Sequence, residues 1–238
     1  MNKFMLFSMK RTGSNHLMCS FQDITNKKLV WFDAPLDTWS TFDLPFQREI
    51  WNQNVNWCLN ELFDQYSGCK INWDEEGFYN IIDELIEYPI QKILLYRENI
   101  WEKVISEELA IQTDHWTSSV GYHRRFKTDY KFDSIDVGVV KERMERAKSQ
   151  LSYVMNSIGE DLIPYKYEDL FSRTEYTDYH KENFINLLSD LDIDYQIKEI
   201  DSVISQYMSS EMCYKTDQTY QNIENFSELE KLKDYLLL

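Results

Sequence analysis

Lys3-Phe4-Met5-Leu6-Phe7-Ser8-Met9-Lys10-Arg11-Thr12-Gly13-Ser14-Asn15-His16-Leu17-Met18-Cys19-Ser20-Phe21 is the stretch on which the reading of the chain turns. Residues 3–9 are aromatic and aliphatic enough to predict a strand, and Leu17 to Phe21 predict the start of a helix. The polar segment between them holds two cations, two hydroxyls and one glycine. Strand, loop and helix in that order make an anion cradle. Gly13 allows a tight turn and a close ligand approach, and the helix start offers backbone N–H groups with the positive end of the helix dipole. Thr12 and Ser14 add hydroxyl donors, and Lys10 or Arg11 adds a charge for a charge-assisted hydrogen bond. The helix end contributes only about 0.3–1 kcal/mol per anionic charge, so the cation and the N–H groups carry most of the affinity. The Gly-x-x-x-x-Gly-Lys-[Ser/Thr] spacing of a Walker A loop is absent. An ordinary capped turn fits the same residues.

Outward from this segment, Lys28–Phe32, Gln91–Tyr96 and Leu162–Tyr167 predict three more strands. Helical spacing runs through Asp74–Tyr88 (Phe78, Ile81, Ile82, Leu85, Ile86), Lys141–Ile158 (Met144, Ala147, Leu151, Val154) and Glu182–Leu191 (Phe184, Leu187, Leu188). Strands alternating with helices predict an α/β fold, a mainly parallel sheet flanked by helices, with ligands bound beyond the carboxyl ends of the strands. No Gly/Ser or Pro-rich linker divides the 238 residues, so one domain over 1–238 is expected.

The charge balance narrows the ligand. Lys+Arg number 25 against Asp+Glu 41, for a net charge of −16. Duplex DNA, RNA and anionic membrane surfaces all require a basic face, so neither nucleic acid nor membrane is expected as partner. An anionic ligand needs a local basic island. The longest apolar runs are far shorter than a membrane span, and residues 1–9 lack the apolar length of a signal peptide; a cytoplasmic protein is the expectation. Cys19, Cys58, Cys69 and Cys213 are scattered, and the four histidines lack metal spacing, so no metal is expected.

The third predicted strand runs into Arg97-Glu-Asn-Ile-Trp101-Glu-Lys-Val-Ile-Ser106-Glu-Glu-Leu-Ala110-Ile-Gln112-Thr113. Arg97 stands at a strand end, and Ser106, Ala110 and Thr113 share one helix face. Here the chain resembles the sulfotransferases that use 3′-phosphoadenosine 5′-phosphosulfate (PAPS), nearer their bacterial carbohydrate branch. Arg11-Thr12-Gly13-Ser14-Asn15 resembles the 5′-phosphosulfate loop of that family, and Arg97 through Ser106 its 3′-phosphate motif. Ala110-Ile-Gln112-Thr113 with Trp116, Tyr167-Glu168-Asp169-Leu170, and Lys215 with Ile223-Glu-Asn225-Phe226 are similar to later family segments in the same order. Beyond Asp33 and Trp116, residues 33–73 and 114–136 carry no such likeness, and the Gly-x-x-Gly-x-x-x-x-Lys element of the animal cytosolic branch is missing.

The resemblance implies a P-loop-like sulfotransferase fold and transfer of a sulfuryl group from PAPS, without a metal, to an acceptor hydroxyl on a carbohydrate or glycolipid. It implies that Lys10, Arg11, Thr12, Gly13, Ser14 and Asn15 cradle the 5′ end, with Arg11, or second to it Lys10, at the bridging oxygen. Arg97 and Ser106 would take the 3′-phosphate. Read alone, Arg97 suits an ion pair with Glu98 or Glu102 equally well. The acceptor needs a general base. A carboxylate after the second strand is expected from the family, and Asp33 stands there; His16, within the loop, is the competitor. Asp33 also suits a turn at Ala34-Pro35, and His16 a helix face. The run His123-Arg124-Arg125-Phe126-Lys127 suits an anionic group or a solvated face. Trp31, Trp39, Trp51 and Trp57 suit sugar stacking or core packing. Two other readings fit the cradle: a nucleotide-dependent kinase or hydrolase, and a non-catalytic binding module of the same fold.

Overall fold

A computed structural model of the chain describes residues 2–27, 29–31, 54–73, 81–113, 131–159, 162–171, 175–208 and 217–235. It begins with β1 (Phe4–Ser8), α1 (Ser14–Thr25) and β2 (Leu29–Trp31), followed by α2 (Val55–Gln65), β3 (Gly68–Asn72) and α3 (Ile82–Glu87). Next come β4 (Gln91–Tyr96), α4 (Ile100–Thr113), α5 (Val137–Ile158), β5 (Leu162–Lys166) and the one-turn α6 (Tyr167–Leu170). The chain continues with α7 (Asp178–Asp190), α8 (Ile197–Val203) and, directly after it, a π-turn at Ile204–Met208. Two short helices follow, α9 (Asp217–Gln221) and α10 (Phe226–Glu230).

The strands form one sheet in the order β2-β3-β1-β4-β5, and every pairing is parallel. The α/β architecture with a parallel sheet flanked by helices is therefore present. All five residues of β1 are buried, as expected for a strand covered on both faces. Met5 and Phe7 pack with α2, α3 and α5 (Leu59, Leu62, Leu85, Val154). Phe4 and Leu6 turn to the other face and pack with α1, α7 and α8 (Leu17, Phe21, Phe184, Leu188, Ile200). The side-chain period of two along a strand produces this division. A third cluster lies around α4, where Trp101, Val104 and Ile105 meet Val140 and Met144 of α5 and Tyr220, Ile223 and Leu229 of the last segment.

Local chemistry sets the helix ends. Asp136 caps α5 by accepting from the N–H groups of Gly138 and Val139 at 2.7 and 3.0 Å, a contribution of about 1 kcal/mol. The helix stops at Gly159, whose φ is 66°. α1 stops at Asn26, also left-handed at φ 51°. No helix among the described residues is long and apolar enough to cross a membrane.

The expected four strands become five. β3, Gly-Cys-Lys-Ile-Asn, carries a lysine and an asparagine where a strand signal needs apolar residues, so it does not read as one. Both polar side chains are nevertheless buried, at 2% exposure for Lys70 and 3% for Asn72. The helix expected over 74–88 is described only as α3, because 74–80 lie outside the described residues. So do Asp33, Trp39, Trp51, Trp116, Lys215 and the run 123–127.

Candidate functional site

The connections run from β1 to the β2–β3 side of the sheet, then cross to β4 and β5. The strand order thus reverses beside the carboxyl end of β1, the place where parallel sheets open a ligand crevice. The segment Met9 to Ser14 leaves β1 at that point, and Arg97 leaves β4 beside it.

Two residues of the loop have positive φ, Arg11 at 66° and Gly13 at 74°. Glycine bears this without cost, whereas a left-handed arginine costs about 1–2 kcal/mol. A Cβ on Gly13 would lie 3.0 Å from both Phe171 Cζ and Tyr167 Cε2. Those rings stack on each other, 4.8 Å between centroids and 14° between planes. Tyr167 of α6 and Phe171 directly after it therefore roof the loop with aromatic rings. Gly13 is also the N-cap of α1, offering no side chain to cap the first-turn N–H groups, and no acidic residue stands in that turn.

Of the cradle residues, Ser14 is buried and begins α1, while Lys10, Arg11, Asn15 and His16 are half-buried. Thr12 is fully buried and its hydroxyl donates to the carbonyl of Met9 at 2.8 Å. That hydroxyl shapes the loop from inside, in contrast to the donor role expected of it. Asn15 Oδ1 accepts from Lys70 Nζ at 2.7 Å, and Ser8 Oγ donates to Asn72 Oδ1 at 2.9 Å. Lys70 is a buried cation under the start of α1 that sequence reading missed. Its signal was a lysine between Cys69 and Ile71, a polar–apolar alternation with too few apolar residues to stand out as a strand.

The two halves of the motif meet. Arg11 Nε donates to Ser106 Oγ at 3.0 Å, joining residues 95 apart in sequence. Arg97 Nη1 donates to the carbonyl of Arg11 at 3.4 Å. Arg97 is itself 5% exposed, with Nη2 donating to Glu102 Oε2 at 2.8 Å and Nε 3.9 Å from Glu168 Oε1. Its guanidinium lies 4.6 Å from the centre of the Tyr167 ring. Of the two expected alternatives, the ion pair with Glu102 is the one present; Glu98 pairs with Lys166 at 2.8 Å, and Glu168 is the second carboxylate near Arg97. Glu168 also accepts from the N–H groups of Glu98 and Asn99, at 3.1 Å each.

Burial lowers the pKa of Arg11, and Arg97 adds to the effect, against Tyr220, Tyr167 and Glu107. Burial acts on Arg97 too, but Tyr167, Tyr220, Glu102 and Glu168 outweigh it and hold this guanidinium above its ordinary value. Both remain cations at any working pH. The net acidity of the chain is therefore not wholly remote, because Glu102, Glu107 and Glu168 lie within the same neighbourhood as the arginines.

Of the later segments that carried the resemblance, the one at Ile223–Phe226 is architectural at Asn225. Asn225 brackets Ile135, accepting from its N–H at 2.9 Å and donating to its carbonyl at 2.8 Å. Trp101 Nε1 donates to the carbonyl of Leu229 at 2.8 Å, and Tyr220 packs edge-on to Trp101. Trp57 is 45% exposed. No protein-family model matches the chain, and no curated protein matches it.

Proposed function

We propose that this chain is a PAPS-dependent sulfotransferase acting on a hydroxyl of a carbohydrate or glycolipid, in the cytoplasm, on a P-loop-like sulfotransferase fold. The observation that carries the reading is the Arg11–Ser106 hydrogen bond. It joins the β1 loop to α4 at the strand-order reversal, where the two phosphate-type segments were expected to converge.

The residues fit a 5′-phosphosulfate. Gly13 is left-handed in a place where a Cβ has no room, α1 begins without a side-chain cap or an acid, Lys10 and Arg11 belong to the turn, and Lys70 reaches Asn15 at its end. Binding at ~1 µM corresponds to about −8.2 kcal/mol, far beyond what one helix end supplies, so these cations are the necessary contributors. At the 3′ end Ser106, held against Arg11, is the fitting polar group.

PAPS supplies an activated sulfuryl group. The acceptor oxygen forms a bond to sulfur as the bond from sulfur to the 5′-phosphate oxygen breaks, and adenosine 3′,5′-bisphosphate leaves. The acceptor proton passes to a base, for which His16 in the first turn of α1 is the described candidate, alongside Asp33. Positioning and charge stabilisation dominate such in-line transfers. Lys10 and Arg11 would offset charge on the leaving phosphate.

Titration calorimetry with adenosine 3′,5′-bisphosphate tests the reading. Affinity in the micromolar range or tighter is expected, with loss of ~100-fold or more in Arg11→Ala, since each 1.4 kcal/mol is tenfold. Absence of binding by the unaltered protein would remove the proposal. A magnesium-dependent preference for ATP would move it to the kinase class, and bisphosphate binding without transfer of labelled sulfate to any glycan would leave a binding module.

A further inference from the structure

We infer that Arg97 is a positioning residue that holds Arg11 and its loop in shape, and is not a ligand of the nucleotide; the ligand half of this inference rests on the function proposed above. The Arg97 guanidinium is enclosed by protein, with two of its nitrogens hydrogen-bonded and Nε buried without a hydrogen-bond partner. Nη2 is on Glu102 at 2.8 Å, Nη1 on the Arg11 carbonyl at 3.4 Å, Nε faces Glu168 at 3.9 Å, and Tyr167 covers the ring plane at 4.6 Å. A phosphate arriving here would have to displace one carboxylate and approach another, like charge against like charge. Glu168 is not able to swing aside cheaply, because it takes two backbone N–H bonds from Glu98 and Asn99.

The bond from Nη1 has a specific consequence. Its acceptor is the carbonyl of a non-glycine residue at φ 66°. This conformation relaxes unless surrounding contacts over-determine it. Arg97 fixes the backbone of Arg11 while Ser106 fixes its side chain. Tyr167, which covers Arg97, is the same ring that closes on Gly13. Glu102, Arg97, Tyr167 and Glu168 thus form one brace from α4 and α6 onto the loop after β1.

Backbone hydrogen exchange in the ligand-free protein and calorimetry on the same variants test this. In Arg97→Lys and in Glu102→Ala, exchange of amides 10–14 should rise by ~10-fold or more relative to the amides of the sheet core, because local opening is governed by local contacts. The affinities for adenosine 3′,5′-bisphosphate and for AMP should fall by the same factor in each variant, on the order of tenfold, leaving their ratio intact. Unchanged exchange at 10–14 overturns the inference. So does tighter bisphosphate binding in Glu102→Ala, which would mean that the carboxylate had been masking a ligand, or an Arg97→Lys loss confined to the bisphosphate. If the unaltered protein binds neither nucleotide, the sulfotransferase reading falls, while the exchange measurement still decides the role of Arg97.

Discussion

Arg11 Nε donates to Ser106 Oγ at 3.0 Å, a bond between the loop after β1 and the middle of α4, with Ser106 only 4% exposed. A hydrogen bond to a charged group contributes about 1.5–3 kcal/mol. If its work is to aim the guanidinium, its loss should appear in binding more than in folding. Ser106→Ala should lower affinity for adenosine 3′,5′-bisphosphate about 10- to 100-fold by calorimetry, at 1.4 kcal/mol per tenfold, with a smaller loss in the free energy of unfolding. An equal loss of stability and no loss of affinity would make the pair a structural tie.

Gly13→Ala meets two separate obstacles, the left-handed φ of 74° and the rings 3.0 Å from its new Cβ. Together they should cost about 1–3 kcal/mol in urea unfolding. Phe171→Leu in the same background should recover only the part due to contact with that ring, because the Tyr167 edge stays in place and the backbone preference is unaltered. Full recovery would mean that φ contributes nothing.

The sheet and its helices were legible where one chemistry ruled a whole segment. β1, β4 and β5 are apolar runs, and α5 and α7 show apolar residues at helical spacing, so their positions follow from pattern alone. β3 was not legible, because Lys70 and Asn72 occupy it and are satisfied by Asn15 and Ser8, partners more than fifty residues away. In the site, the glycine and the cations of the loop could be read directly. What a one-dimensional pattern could not reveal is which groups a cation faces. Arg97 carried the expectation of a phosphate ligand, and its surroundings are Glu102, Glu168 and Tyr167. Thr12 was expected to offer its hydroxyl outward, yet that hydroxyl closes on Met9.

Lys70→Met tests the buried cation. Removing the buried ammonium relieves its desolvation cost but leaves Asn15 Oδ1 without this donor, a loss of about 1–3 kcal/mol, so the variant should fold with a somewhat lower melting temperature. Bisphosphate affinity should also fall ~10-fold or more, since each 1.4 kcal/mol is tenfold and Asn15 loses the 2.7 Å bond that orients the first turn of α1. Unaltered affinity would separate Lys70 from the ligand altogether.

Glu108 Oε1 lies 2.9 Å from Arg143 Nη1 but is buried without the alignment of a hydrogen bond. Burial raises the pKa of this carboxyl and Glu107 adds to it, more than Arg143 lowers it. Glu107 is itself held by Lys103 at 2.8 Å. The folded protein therefore keeps the Glu108 proton to a higher pH than the unfolded chain does. Between the ordinary carboxylate value and the raised one, the native state binds more protons, so the contribution of Glu108 to stability falls as pH rises through that window. Its charge is a cost at neutral pH that disappears in acid. Glu108→Gln should raise the urea midpoint at pH 7.5, and the gain should shrink to nothing by about pH 4, below both values. Arg143→Met, which removes the group opposing the rise, should lower the midpoint at pH 7.5 and matter less in acid. A Glu108→Gln gain that stayed constant across the range would assign the effect to packing and not to the buried charge.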